Sequence, residues 1–259
     1  MTFDTILFEK QNYIGTLTLN RPEAMNALNA RLITELTEAI DLIAHDGSVR
    51  VLIITGGEKV FAAGGDIKAM MACDPQGAKA YVEPIHKVFR MIEEMPKPTI
   101  AAINGFALGG GVELALICDL RIAADNAKFG FPEINLGIFP AAGGSQRLPR
   151  LIGMSQAKEL MFTGDTIDAS RALEIGLVNQ VVPAAEVKDA ALKLAAKLSK
   201  KSPLTMGVLK SSLHTMLNSG QNTGLETELE KLCFLFASHD QKEGMQAFVE
   251  KRKPEFTGR

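Results

Sequence analysis

The sequence predicts an α/β core followed by a helical tail, on three observations. Up to about residue 183, short apolar runs alternate with segments whose apolar residues recur at helical spacing. One run, Val49–Thr55, is too uniformly apolar for an exposed sheet and reads as a strand covered on both faces. From Ala184 onward no strand candidate remains, and four helical segments follow one another.

Taken in order, Phe3–Glu9 and Tyr13–Leu19 form a predicted hairpin around Gln11-Asn12, ended by Asn20-Arg21-Pro22-Glu23. Asn29 is the expected N-cap of a helix to about His45, with Leu32, Leu36, Ile40 and Ile43 inward. After the Val49–Thr55 strand comes a loop, Gly56–Gly65, centred on Phe61 and Ala62. Asp66 then opens a short helix to Met71. Gln76–Glu94 is a long helix with Val82, Ile85, Val88, Phe89 and Ile92 inward, and Pro84 predicts a kink or break within it.

Thr99–Ile103 is the next strand, broken by Asn104-Gly105, and Val112–Cys118 a short apolar helix. Leu120–Ala123 and Lys128–Gly130 are short strands, and Phe131–Ile134 and Gly137–Pro140 are loops. Ser145 caps a helix that Pro149 interrupts, Ser155 caps Gln156–Phe162, and Asp168 caps Ala169–Ile175, which Gly176 ends. Val178–Val182 is the last strand. The tail helices are Val187–Leu198, one starting at Ser202-Pro203 and running through Leu213 and Leu217, Leu225–Phe236 after a Ser219–Thr223 loop, and Gln241–Arg252 capped by Asp240. Leu225, Leu229, Leu232, Cys233 and Phe236 share one face of the third, so the tail is expected to pack on the core or on a neighbouring subunit.

Composition narrows the function classes. A chain of 259 residues suffices for one substantial core with an appendage, and a net charge of −2 argues against a nucleic-acid footprint over the whole surface. Cys73, Cys118 and Cys233 are odd in number and widely spaced, which fits free thiols in a reducing compartment. The four histidines show no ligand spacing, so no metal site is expected. The start MTFDTILFEK lacks the pattern of a signal peptide, and no apolar run approaches the ~20 residues of a membrane span. A soluble, cytoplasmic protein with no membrane association is the expectation.

The chemistry concentrates after Thr99–Ile103. Gly109, Gly110 and Gly111 bring bare backbone to the start of a helix, and Glu113 is a single charge within an apolar block. Such a carboxylate must be hydrogen-bonded, shifted in pKa, or both. Donor backbone beside one buried acid outlines a site that holds a developing oxyanion and moves a proton.

Five stretches carry a resemblance: LNRPEAMNAL at Leu19–Leu28, FAAGGDIKAM at Phe61–Met70, INGFALGGGVELALICD at Ile103–Asp119, FGFPEINLGIFPAAGGSQRLPRLIG at Phe129–Gly153, and AFVEKRKPEF at Ala247–Phe256. With them the chain resembles, along essentially its whole length, the crotonase or enoyl-coenzyme A hydratase/isomerase superfamily, and within it most the short-chain enoyl-coenzyme A hydratases. The resemblance implies a ClpP/crotonase-like spiral of repeated β-β-α units. It places the active-site core in residues 1–195 and gives 196–259 to a helical region for trimerisation and closure of the coenzyme A pocket. It implies homotrimers, commonly paired into hexamers. Coenzyme A enters as part of an acyl thioester substrate, with no prosthetic group.

By similarity, the N–H groups of Gly65 and Gly110 polarise the thioester carbonyl, where relatives often carry alanine at the first position. Glu133 delivers the proton to the carbon beside the carbonyl, and Glu113 orients water and acts as base. The matched cofactor-contact segments hold Ala27, Leu28, Lys59, Phe61, Ala63, Asp66, Ile67 and Lys68, and Phe248 and Lys251 match a pair that closes the nucleotide pocket, often from another subunit. Ala141 departs from a glycine common in hydratases. Phe131, Phe139 and Met71 either line the acyl site or belong to the core. The implied activity is reversible hydration of a short-chain trans-2-enoyl thioester in fatty-acid degradation. The rivals are an enoyl isomerase, a cyclic dienoyl thioester hydratase, and an RNA-binding or non-catalytic scaffold, for which the basic run Lys251–Lys253 is the supporting feature.

Overall fold

The computed structural model describes residues 3–259. Met1 and Thr2, part of the opening stretch read above, and the side chains of Leu217 and Asn218 lie outside the described residues. The expected hairpin is present one to three residues later than drawn, as β1 (Ile6–Gln11) and β2 (Ile14–Leu19), paired antiparallel from Ile6↔Leu19 to Gln11↔Ile14. Its turn is Asn12-Tyr13 rather than Gln11-Asn12. Both residues have positive φ, 50° and 66°, the backbone that matches a two-residue hairpin to strand twist.

Helix α1 (Ala30–His45) starts where Asn29 accepts a hydrogen bond from the Leu32 amide at 2.9 Å. It buries Leu32, Leu36, Ile40 and Ile43 as its periodicity requires. Strand β3 (Val51–Thr55) follows. Val51, Leu52, Ile53 and Ile54 are all buried, and since successive strand residues point to opposite faces, both faces are covered.

The loop expected at Gly56–Gly65 contains a strand, β4 (Val60–Ala62). Asp66 caps α2 (Ile67–Met70) and Asp74 caps α3 (Pro75–Glu94). Helix α3 runs unbroken through Pro84. That proline is exposed, as is Ala80, whose carbonyl loses its helical partner on the solvent side, where the loss costs least. Then come β5 (Thr99–Ile103), a second unpredicted short strand β6 (Phe106–Leu108), α4 (Gly110–Leu116), β7 (Leu120–Ala124) and β8 (Lys128–Gly130).

A 3₁₀ turn spans Pro132–Leu136. Helix α5 (Gly144–Ile152) begins at Gly143 instead of a Ser145 cap and continues through Pro149, its sixth residue, which removes one internal bond. Helix α6 (Met154–Thr163) likewise begins at Gly153, not Ser155. Strand β9 (Thr166–Asp168), α7 (Ala169–Glu174) capped by Asp168, and β10 (Gln180–Val182) complete the core.

Two sheets result, ordered β1-β2-β3-β5-β7-β10 and β4-β6-β8-β9. From β3 to β8, consecutive strands alternate between them: β3 then β4, β5 then β6, β7 then β8, each pair followed by a helix. Each turn of the chain therefore adds one parallel strand to each sheet, with registers such as Ile53↔Ile100, Ala102↔Ile122 and Leu108↔Gly130. This is the repeated β-β-α spiral that the resemblance implies.

The tail is helical. Helix α8 (Val187–Leu198) packs on β3, β5 and β7 and contains the 195/196 position expected to divide the chain. Helices α9 (Pro203–Asn218), α10 (Gln221–Phe236) and α11 (His239–Val249) follow. Lys210 on α9 reaches back to the Asp119 carboxylate at 2.8 Å and the Lys97 carbonyl at 3.1 Å. Among the described residues α10 buries none completely, and Leu225, Leu229, Leu232 and Phe236 are each more than half exposed. Asp240 is an anchor instead of a cap. Ser238 caps α11, while the buried Asp240 carboxylate accepts from Ser202 Oγ at 2.6 Å and from the amides of Thr257 and Gly258 at 2.8 and 2.9 Å. Among the described residues no helix is long and apolar enough to cross a membrane.

Candidate active site

The second sheet delivers two glutamates to one edge. Strands β6 and β8 are parallel and in register at Leu108↔Gly130, so the residues that follow them emerge side by side. After β6 comes Gly109, whose amide donates to the Gly130 carbonyl at 2.8 Å, and then α4. After β8 comes the 3₁₀ turn that carries Glu133.

Glu113 lies one turn into α4 and is 2% exposed. Its Oε1 accepts from the Gly144 amide at 2.7 Å, at the start of α5. Its pKa is pushed up to about 7, first by burial. The amides of Gly144 and Ala142 and the Arg147 guanidinium oppose that rise, and the negative charge of Glu133 adds to it. The two carboxyls are therefore close enough to repel one another.

Glu133 is half-buried, and burial also raises its pKa. Its Oε2 is enclosed and has no hydrogen-bond partner. Its Oε1 rests against Gly109, where a β-carbon would sit 2.1 Å away.

Two backbone segments meet beside them. The Leu28 amide donates to the Gly64 carbonyl at 2.8 Å, in a parallel bridge between Leu28 and Gly65. A trans peptide points its N–H opposite to its C=O, so the Gly65 N–H is directed away from Leu28. Gly110 is the first residue of α4, and its N–H has no intrahelical acceptor. The two glycine pairs touch, since a β-carbon on Gly64 would lie 3.5 Å from the Gly110 nitrogen. Such close backbone approach, with φ of +101° at Gly64 and +48° at Gly109, is open only to glycine at these positions.

Glu113, Glu133, Gly65 and Gly110 thus converge. Of the remaining candidates, Ala27, Leu28, Ala63 and Asp66 surround the Gly64 loop. Leu28 is buried against Gly110, and Asp66 pairs with Arg21 at 3.6 Å. Ile67 and Lys68 are exposed at the start of α2. Phe61 is wholly enclosed in the core and presents no surface to a ligand. Lys59 is exposed at the opposite end of β4 from Ala63 and borders a separate crevice of about 720 Å³ that also includes Thr55, Asn104 and Lys188. Phe248 and Lys251 stand exposed at the end of α11.

Phe131 belongs to the core, whereas Phe139 and Met71 are 63% and 82% exposed. The Ala141 carbonyl is contacted by His86 Nε2 of α3 at 2.5 Å. Arg252 of the basic run is held by both oxygens of Glu243 and by Glu250, so its charge is largely compensated. Among the described residues, no cluster of three histidines, cysteines or acids could hold a metal.

Sequence reasoning missed several contributors. Gly144 was visible only as part of a glycine pair, and nothing local tied its amide to Glu113. Tyr81 lies on α3 beside the Gly65 loop, and Arg147 reaches the Ala142 carbonyl at 3.3 Å while pairing with Glu93 at 2.7 Å. Tyr81 does carry a signal, since it falls at helical spacing before the inward-facing Ile85 and Val88.

Residues 9–259 match the enoyl-CoA hydratase/isomerase family model. The chain is 46% identical over 257 residues to a protein named crotonyl-CoA hydratase from Syntrophomonas wolfei, covering 99% of both. It is 41% identical to a 2,3-dehydroadipyl-CoA hydratase of Escherichia coli, covering 98% of this chain and 99% of that one. The crystal structure of an enoyl-CoA hydratase from Bacillus anthracis superposes with a TM-score of 0.95 at 40% identity, covering 99% of this chain and all of that one. On matches of this breadth the chain belongs to the enoyl-CoA hydratase/isomerase family and is an enzyme with that family's hydro-lyase activity.

Proposed function

We propose that this enzyme reversibly hydrates a short-chain trans-2-enoyl-CoA to the 3-hydroxyacyl-CoA. The thioester oxygen sits between the Gly65 and Gly110 amides, which stabilise the negative charge that grows there when C3 is attacked; losing one such donor typically costs about 3 kcal/mol of barrier. Water held by the two glutamates adds to C3 and gives its proton to Glu113. Glu133 gives its own proton to C2. The pair as a whole neither gains nor loses a proton, and exchange between its members resets it.

The observation that carries this reading is the enclosed, unpartnered Oε2 of Glu133 beside a second carboxyl of raised pKa. A buried oxygen without a partner is costly in a resting fold, and a bound water or substrate group removes that cost. Met71, Phe139, Leu136 and Ile138 are exposed apolar residues just after α2 and on the segment after Glu133, which favours an uncharged acyl chain. Ala27, Leu28, Ala63, Asp66 and Ile67 line the approach of the coenzyme A moiety, with Lys68 as a point charge for its phosphates.

The exposed apolar face of α10 favours a homotrimer, or paired trimers, in which Phe248 and Lys251 close a coenzyme A pocket. A cytoplasmic setting fits the three free thiols.

The test is addition of crotonyl-CoA while following the absorbance of the conjugated enoyl thioester. Rapid loss with formation of 3-hydroxybutyryl-CoA is expected. Inertness, together with turnover of a 3-enoyl or cyclic dienoyl thioester, would replace this reading with isomerisation or ring-specific hydration.

A further inference from the structure

Gly64 and Gly65 form a soft pair. Neither has a side chain, and the backbone between them carries the amide that the proposed reaction needs. Upstream, the peptide is clamped by the Leu28 amide on the Gly64 carbonyl at 2.8 Å. Downstream, the direct bond from the Asp66 amide to the Leu28 carbonyl is long, at 3.4 Å.

Tyr81 Oη fills that gap. It accepts from the Asp66 amide at 2.8 Å and donates its proton to the Leu28 carbonyl. One hydroxyl therefore closes the weak end of the Leu28–Gly65 bridge. Tyr81 is half-buried on the face of α3 that also carries Ile85 and Val88, both buried, so its ring is held by a rigid helix. A β-carbon on Gly65 would lie 3.2 Å from Tyr81 Oη and 3.1 Å from Met70 Cε. The hydroxyl thus occupies space that exists because position 65 is glycine.

We propose that Tyr81 is a positioning residue for the oxyanion site: its hydroxyl takes the place of a side chain at position 65 and holds the Gly65 amide in its working orientation. Tyr81 does not touch the reacting atoms, and its role rests on the assignment of the Gly65 amide to the thioester carbonyl.

The test compares wild type, Tyr81→Phe, Gly65→Ala and the double variant. Turnover of crotonyl-CoA is measured, together with the infrared carbonyl stretch of bound butyryl-CoA, a saturated thioester that cannot be hydrated. In wild type the band should shift to lower frequency on binding. In Tyr81→Phe, kcat should fall roughly ten-fold with KM changed less than about two-fold, and the band should move back toward its free position. Gly65→Ala alone should be impaired by crowding of the hydroxyl. The double variant should be more active than Tyr81→Phe, because φ at Gly65 lies outside the left-handed region and the freed space accepts the methyl.

The position of the band keeps the test decisive if Tyr81→Phe also lowers stability, since a smaller folded fraction weakens the bound band without moving it. A wild-type band shift that Tyr81→Phe leaves intact, with wild-type kcat, overturns the role of Tyr81 alone. A wild-type band that does not shift overturns the oxyanion assignment and the role of Tyr81 with it.

Discussion

Glu133 Oε1 lies against the bare Cα of Gly109, so close that a methyl group there would sit 2.1 Å from it. The contact joins the two halves of the site, because Gly109 also starts the helix that carries Glu113. Gly109→Ala should therefore displace the Glu133 carboxyl and strain a backbone whose φ is +48°. Hydration of crotonyl-CoA should fall at least a hundred-fold, with a loss of stability of about 1–2 kcal/mol. Activity and a urea titration of the same preparation check both.

Glu133→Gln keeps the shape of the side chain and removes its transferable proton. The variant should bind the thioester as wild type does and hydrate it at least ~100-fold more slowly, the usual range for a positioned proton donor. Calorimetric titration with butyryl-CoA alongside steady-state rates distinguishes binding from chemistry. Wild-type turnover would remove Glu133 from the mechanism.

Glu113 gives a signed pH dependence. The ordinary glutamate value is 4.5, and in the fold the group titrates at about 7. Below 4.5 both folded and unfolded chains hold the proton; between the two values only the folded chain does; above about 7 neither does, and the fold bears a buried charge that its hydrogen bonds only partly compensate. The contribution of this group to stability therefore falls as pH rises from 4.5 to about 7, by up to ~3 kcal/mol. Glu113→Gln should raise the melting temperature at pH 8 relative to wild type and lose that advantage near pH 4.5. Because the ionised form is the base toward water, wild-type kcat should decline below about pH 7, and Glu113→Gln should be severely impaired throughout.

Lys210 ties α9 to the core through Asp119 and two backbone carbonyls, and its side chain is 9% exposed. Lys210→Met leaves the Asp119 carboxylate with Thr99 alone among these partners and should cost about 2–3 kcal/mol. The expected readout is a lower melting temperature with kcat retained. A variant that loses activity without losing stability would mean that α9 acts on the site directly.

Features encoded within a few residues were readable from the sequence. Asn29 and Asp168 cap the helices expected of them, and Asp66 and Ser202 cap the helices expected to start at them, because a side chain and an amide three residues on are neighbours in any conformation that starts a helix. Ile40 and Val88 are buried because helical spacing fixes which face they share. Glu113 stood out as one acid in an apolar block, and it is buried. The family resemblance supplied what local patterns could not, the spiral and the joint significance of Glu113 and Glu133.

Other features belong to the tertiary structure. Strands β4, β6 and β9 have three residues each, too few for any period, and they exist through their partners in the second sheet. Ser145 and Ser155 were plausible local caps, yet Gly143 and Gly153 start those helices. Glu133 has the local sequence of a solvated loop acid and is enclosed only because register in the second sheet brings it against Gly109. The sequence by itself determined the order of the longer elements, the buried faces of the helices and the candidate acids. The meeting of Glu133 with Gly109, of Gly144 with Glu113 and of Tyr81 with the Gly65 loop was decided only when the sheets formed, since each joins residues 16 to 31 positions apart that no local backbone preference brings together.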